Sequence, residues 1–106
     1  MSGLRSRRKG RRGESAAKKL LAERDFEILA DTAAGLATDD LVAQSPDGCV
    51  WSVEVKNCKN LQLAQFVAQA KRNAGKKRWM LLCKIDKSCT WLVLRKGSRP
   101  TVWHEK

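Results

Sequence analysis

A glutamate and a lysine two positions apart, Glu54 and Lys56, are the side chains of this chain whose types and spacing could do chemistry. They belong to a β-patterned run, residues 50–56, and side chains in a strand alternate between its two faces. Ser52, Glu54 and Lys56 therefore share one face, and the apolar residues between them share the other. Because the apolar face can be buried, the pattern predicts a strand that carries its charges on one side.

A second carboxylate is predicted to approach this strand. Asp40 opens a short apolar run, residues 41–43, and a Ser-Pro-Asp-Gly turn at residues 45–48 favours a hairpin whose returning arm carries Glu54 towards Asp40. Two carboxylates beside one lysine suit metal-assisted phosphodiester hydrolysis, because carboxylate oxygens hold a hard divalent cation and the lysine can orient the attacking water. The hairpin therefore predicts a site of the nuclease type.

The distribution of charge supports this interpretation over a solvated strand face, which is what a Glu-X-Lys sequence usually means. Residues 1–12 carry six basic and no acidic side chains, residues 13–55 three basic and nine acidic, and residues 56–106 thirteen basic and two acidic. Most acidic groups thus fall in the block that holds the two carboxylates. In a protein of net charge +11, that segregation suits a phosphate-binding surface around a cation site. The alternative is a basic protein with scattered surface acids.

Length and composition limit the class of protein. A chain of 106 residues is enough for one domain with a modest core. No apolar run approaches the ~20 residues that span a bilayer, and no apolar segment follows the basic N-terminus as in a secretory signal, so we expect an intracellular protein without a membrane partner. The four cysteines include no CxxC pair and the chain has one histidine, so we expect reduced thiols and no structural zinc.

The N-terminal segment, residues 1–13, mixes basic residues with glycine and serine, a composition that predicts a flexible basic arm. We expect the arm to contact nucleic acid, although such a segment can also be a solubilising tail or a localisation signal. Its basic residues are Arg5, Arg7, Arg8, Lys9, Arg11 and Arg12.

The remaining residues, 14–106, are predicted to form a single α/β domain. Apolar spacing predicts a helix from Glu14 to about Arg24, and a second helix that Asn60 can cap and that ends at Gly75. The continuous apolar run at residues 79–85 is typical of a central strand covered on both faces. The strands are predicted at residues 26–30, 41–43, 50–56, 79–85 and 90–94, with a short edge strand at 101–103. The order α-β-β-β-α-β-β predicts a central mixed sheet of about five strands flanked by helices.

These features together resemble the PD-(D/E)XK nuclease superfamily, and within it the small Holliday-junction-resolvase-like endonucleases of archaea and phages. The resemblance covers residues 7–95. It rests on the basic lead-in that ends at Glu14, on Asp40-Leu-Val-Ala, on Glu54-Val-Lys56 and on the end of the second helix, residues 69–75. It implies a restriction-endonuclease-like core.

The resemblance also implies roles for individual residues. Asp40 and Glu54 would be the principal ligands of Mg²⁺ or Mn²⁺, with the backbone carbonyl of Val55 and, directly or through water, the Glu14 carboxylate completing the shell. Lys56 would be the catalytic lysine. A weaker candidate for positioning water or phosphate is Gln69.

The sequence departs from the family at two points. The family often has proline before the ligand aspartate, whereas this chain has Asp39, which therefore competes with Asp40 for the role. The apolar run directly behind Asp40 favours Asp40. The loop at residues 31–39 is also short.

The sequence therefore predicts a metal-dependent DNA endonuclease, most of all one that cleaves branched DNA such as Holliday junctions. Cleavage of two symmetry-related strands predicts a homodimer. The alternatives are a non-catalytic basic nucleic-acid-binding domain, in which Asp40, Glu54 and Lys56 form surface ion pairs, and a PD-(D/E)XK nuclease that acts on other DNA. Basic residues near the second helix are predicted to bind phosphates: Lys71, Arg72, Lys76, Lys77 and Arg78. Three tryptophans in strand patterns are expected in the core or in a dimer interface: Trp51, Trp79 and Trp91.

Overall fold

A computed structural model of the chain describes residues 3–31, 41–58, 62–85 and 87–106; the side chains of residues 3–12, 57 and 58 are outside this description. The elements are α1 (Gly3–Ala22), β1 (Glu27–Asp31), β2 (Leu41–Gln44), β3 (Val50–Cys58), α2 (Leu63–Ala74), β4 (Arg78–Ile85), β5 (Thr90–Arg95) and β6 (Thr101–His104). Neither of these helices is long and apolar enough to cross a membrane.

The six strands form one sheet in chain order from β1 to β6. Strands β3 and β4 run parallel, with helix α2 as their crossover, and the other neighbours are antiparallel. The predicted α/β class and mixed sheet are therefore confirmed, and the short strand predicted at the C-terminal end is the sixth strand of the sheet.

Helix α1 begins at Gly3, well before the predicted start at Glu14. The predicted arm and the predicted helix thus share one continuous helical backbone. Arginine and lysine have high helix propensity, and a helix anchored by packing at one end propagates at little cost into such residues. The anchored end is the C-terminal half, where Leu20 and Leu21 are fully buried and Lys18 forms an ion pair of 2.6 Å with Asp31 of β1.

Each face of the sheet carries its own apolar cluster. The α1 side includes Leu20 and Leu21, Val53 of β3 and Trp91 of β5. The α2 side includes Ala70 of the helix with Leu81 and Cys83 of β4. Strand β4 contributes to both clusters, and its residues from Met80 to Cys83 are fully buried. The prediction of a central strand covered on both faces is confirmed.

The hairpin between β2 and β3 is also as predicted. Its turn is closed by a hydrogen bond of 2.9 Å from the Gly48 amide to the Ser45 carbonyl. The Asp47 carboxylate accepts hydrogen bonds from the Ser45 hydroxyl and from the Cys49 amide, and these bonds lower the pKa of Asp47. Gly48 has φ 91°, a conformation that glycine adopts without strain. The turn fixes the register in which Leu41 pairs with Val53.

The C-terminal residues lock the buried Trp91 indole in place. Its Nε1 donates a hydrogen bond of 2.8 Å to the Glu105 carboxylate, which also lies 3.2 Å from the Lys84 ammonium. The hydrogen bond from Trp91 is the main cause of a lowered pKa at Glu105, and Lys84 adds to it. Because Trp91 is completely buried within one chain, the first of the two places expected for it, the core, is confirmed.

We expect Glu105→Gln to destabilise the fold by about 1 kcal/mol at neutral pH, since hydrogen bonds to charged groups are worth more than neutral ones. The pKa of Glu105 lies below its ordinary value of 4.5 in the folded state. The carboxylate therefore stabilises the fold above that pH, and the contribution is lost as the pH falls through the lowered pKa. Thermal unfolding of both proteins at neutral and at acidic pH measures this. An equal difference in Tm at both pH values would contradict the expectation.

Candidate active site

The Glu54 carboxylate lies in the middle of β3 on the face that α2 covers, and the residue is only 3% exposed. The alternation predicted for residues 50–56 is present: Val53 packs in the cluster on the α1 side, and Glu54 points to the opposite side. Ser52, the preceding residue on the Glu54 face, is also buried. The strand thus places an ionisable group inside the protein rather than on a solvated surface.

Among the described residues, two side chains contact the two oxygens of this carboxylate. The Lys56 ammonium lies 3.6 Å from Oε1, and the Asn73 amide of α2 donates a hydrogen bond of 3.1 Å to Oε2. Burying a carboxylate without partners would cost several kcal/mol, so these contacts make the position tolerable. They also fix the orientation of the carboxylate plane.

Lys56 occupies the partly open edge of this arrangement. Its side chain is 25% exposed, and its Nζ lies 5.4 Å from the centre of the Phe66 ring on α2. A lysine between a carboxylate and an aromatic face has a restricted position while its ammonium can still reach solvent. The ammonium is therefore available to a ligand that approaches Glu54 from the open edge.

Asn73 is a residue that the sequence reasoning missed. It lies four positions after Gln69, so the two residues share one flank of α2. Of the two, Asn73 forms the hydrogen bond with Glu54. Gln69 is half-buried. Within the described part of the chain, no hydrogen bond of its side chain is recorded. The signal that could have found Asn73 is its place between Ala70 and Ala74, the two buried positions of the helix.

Asp40 and Asp39, the predicted second carboxylate and its competitor, lie outside the described residues. What the structure does give is the position of their neighbour. Leu41 begins β2 and pairs with Val53 of β3, the residue directly before Glu54. The described part of β2 therefore begins beside the strand that carries Glu54.

The residue before Glu14 packs against Val55 on the other side of β3. A Cβ placed on Gly13, the residue before Glu14, would lie 3.8 Å from Val55 Cγ1. The half-buried Glu14 therefore follows a residue that packs on the Val55 side chain, on the face of β3 opposite the Glu54 carboxylate. Its place in the ligand set stays a prediction. In the described ranges no three His, Cys, Asp or Glu side chains cluster closely enough to hold a metal ion; Asp40 is not among the residues so compared.

The predicted phosphate-binding residues divide into two groups. The five near α2 are all exposed, at the end of that helix and the start of β4: Lys71, Arg72, Lys76, Lys77 and Arg78. The six of the N-terminal segment lie on the helical backbone of α1, and their side chains are outside the description. Cationic side chains therefore surround the end of α2, before and after Asn73 in the sequence.

Comparison with family models, with curated proteins and with solved structures gives no match for this chain. The candidate active site consists of a buried carboxylate, a lysine on the same strand face and an amide that orients the carboxylate, beneath an exposed cationic surface.

Proposed function

We propose that this protein is a metal-dependent DNA endonuclease of the PD-(D/E)XK type, with a restriction-endonuclease-like core. The observation that carries the proposal is the burial of Glu54 together with the 3.6 Å contact of one of its oxygens with Lys56. A Glu-X-Lys pair on a solvated strand would cost nothing to form. A buried carboxylate beside a lysine costs free energy, and such arrangements cluster at functional sites.

The same observation bears on the non-catalytic alternative. A nucleic-acid-binding domain without an active site would need Glu54 and Lys56 only as surface ion pairs. Glu54 is not a surface residue, at 3% exposure. The nuclease hypothesis therefore explains the burial of Glu54, which binding to phosphates alone does not require.

The donor set fits Mg²⁺ or Mn²⁺, which prefer carboxylate and carbonyl oxygens. Glu54 and Asp40 would be the principal ligands, with the Val55 carbonyl and the Glu14 carboxylate as further ones. Once bound, the cation would supply Lewis acidity to the phosphate and lower the pKa of a water. The inclusion of Glu14 rests on the resemblance to the PD-(D/E)XK superfamily.

The chain's own residues would do the remaining work. Lys56, with its ammonium at the open edge, would orient the attacking water and stabilise the charge that develops on the phosphate. Asn73 would hold the Glu54 carboxylate in its orientation through the 3.1 Å hydrogen bond. Outer hydrogen bonds of this kind maintain the geometry of a ligand carboxylate. Gln69, one turn earlier on α2, would position water or phosphate.

The proposed substrate is branched DNA, and the proposed assembly is a homodimer. The support is the charge: net +11, with exposed cations around the end of α2, suits binding through phosphates and shape rather than base sequence. One chain offers one site, whereas resolution of a four-way junction requires two cuts related by symmetry. A two-fold dimer would supply both. Other DNA substrates remain the alternative within the same chemistry.

The assignment of the second carboxylate has a matched test in two adjacent residues. We expect Asp40→Asn to abolish Mg²⁺-dependent cleavage and Asp39→Asn to leave it near the wild-type rate, because only the former would lose a ligand charge. The measurement is single-turnover cleavage of labelled DNA by each protein. Loss of activity in Asp39→Asn with retention in Asp40→Asn would show that the ligand is the other aspartate. Wild-type rates in both would remove the aspartates from the site.

A further inference from the structure

A basic cleft lies outside the candidate active site, between the end of α2, the start of β4 and the turn after β5. Its volume is about 490 Å³, within the ~300–1,000 Å³ usual for ligand sites. Three lysines and one tryptophan supply its functional groups: Lys71, Lys77, Lys96 and Trp79. No acidic side chain is among the described residues that line it. The cleft is therefore suited to a ligand with several negative charges and a flat apolar part.

Backbone contacts hold the walls of this cleft in place. The Lys77 amide donates a hydrogen bond of 3.0 Å to the Ala74 carbonyl, which closes the exit from α2. The Lys96 amide donates one of 3.2 Å to the Trp79 carbonyl, which fixes the turn after β5 beside β4. Gly75, at the end of α2, has φ 58° and so allows the sharp change of direction. This framework brings Lys96, which comes from the turn after β5, beside Lys71 and Lys77.

Trp79 forms one wall of the cleft, which differs from its expected place in the core or in a dimer interface. The residue is only partly buried, and its inner side packs against the cluster that contains Leu81 and Cys83. The Lys71 ammonium lies 5.5 Å from the ring centre. The ammonium therefore covers the ring face on the cleft side, and it must move from the ring to a phosphate when a base stacks there.

The combination of an aromatic face with cations on both sides selects among nucleic acids. In a duplex the bases stack on one another, and the backbone alone meets the lysines. An unpaired base has a free face that can stack on an aromatic ring while its flanking phosphates contact lysines. We propose that this cleft binds an unpaired stretch of a DNA strand, with a base on Trp79 and phosphates on Lys71, Lys77 and Lys96.

The position of the cleft connects this binding to the candidate active site. Trp79 pairs with Ser52 in the parallel register of β3 and β4, and Ser52 is two residues before Glu54 on the same strand face. The cleft and Glu54 therefore lie on the same side of the sheet. The choice of DNA as the ligand rests on the proposed function. The cleft would bind the part of that substrate in which a strand is unpaired. Binding itself requires no cleavage.

The first test measures affinity in EDTA, where cleavage by the proposed mechanism cannot occur. The probes are a labelled oligothymidylate and a labelled duplex of equal length. Fluorescence anisotropy measures the binding of the protein to each probe. We expect Trp79→Leu, which keeps apolar volume but removes the aromatic face, to weaken single-strand binding about tenfold and to leave duplex binding unchanged. Trp79→Phe should retain most of the single-strand affinity. Equal losses on both probes, or no loss on either, would overturn the stacking.

Charge and location are tested separately. Lys96→Gln should reduce the salt dependence of single-strand binding by about 0.7 in the log–log slope, the value for one lost contact. Lys87→Gln, an exposed lysine in the turn before β5, removes the same charge outside the cleft and should leave the slope unchanged. Equal slopes for Lys96→Gln and the wild type would contradict the proposed phosphate contact.

A third measurement uses the unaltered protein, so no variant has to fold. An oligonucleotide that carries iododeoxyuridine is irradiated in the complex, and mass spectrometry locates the cross-link. We expect the adduct on Trp79. An adduct confined to other residues would overturn the proposal, whether or not the protein proves to be a nuclease.

Discussion

Glu54→Gln is expected to lower the rate of DNA cleavage by at least ~10²-fold, because the proposed site would lose a ligand charge and metal-ion catalysis is worth several kcal/mol. The amide has the same shape as the carboxylate and can still accept the hydrogen bond from Asn73. Lys56 loses its ionic partner, but its side chain is 25% exposed and can be solvated. Fold and DNA affinity should therefore stay near the wild-type values.

A companion substitution is Lys56→Met, which keeps most of the length of the side chain and removes the ammonium. It should also lose most of the activity, because this ammonium would orient the attacking water at the open edge. Single-turnover cleavage, DNA affinity and thermal unfolding are measured for both variants. Cleavage at the wild-type rate by Glu54→Gln, in a protein that unfolds at the wild-type temperature, would contradict the proposed metal site.

Removal of residues 1–12 is expected to give the second large effect, on DNA binding. Each phosphate contact that is lost lowers the slope of log affinity against log salt by about 0.9 on duplex DNA, so loss of all six basic side chains would lower it by up to ~5. The residues that anchor α1 to the sheet, Ala17, Leu20 and Leu21, remain and are fully buried. The shortened protein should therefore still fold.

A matched variant separates charge from helix length in this experiment. Replacing the six basic residues with glutamine keeps a chain of good helix propensity and removes only the charges. If the positive charges bind phosphates, this variant and the truncated protein should lose salt dependence to the same extent. An unchanged slope in both would show that the N-terminal segment does not touch the DNA backbone.

Much of the fold follows from local patterns in the sequence. The alternation in residues 50–56 predicted which side chains of β3 share a face and that the apolar face would be buried, because side chains of a strand alternate with a period of two. The continuous apolar run of β4 predicted its central position, and the turn that contains Gly48 predicted the hairpin. These features depend only on residues that are neighbours in the chain, so they could be predicted from the sequence.

Other features depend on tertiary contacts that no local pattern contains. The start of α1 at Gly3 depends on the anchoring of its far end to the sheet, which the composition of the basic segment does not reveal. Asn73 meets Glu54 only because α2 crosses β3 at one particular rotation. Trp79 shares a cleft with Lys96 because the turn after β5 lies beside the start of β4. In each case the partners are separated in sequence, and only the packing of the sheet brings them together.

The measurement that tests the nuclease assignment most directly is the incubation of the unaltered protein with a labelled four-way junction, with a linear duplex and with a single strand, each in Mg²⁺ and in EDTA. We expect paired symmetric nicks in the junction in Mg²⁺, little cleavage of the linear duplex, and no cleavage in EDTA. Cleavage of duplex as fast as junction would contradict the branched substrate. No cleavage of any DNA with either Mg²⁺ or Mn²⁺ would contradict the nuclease assignment itself.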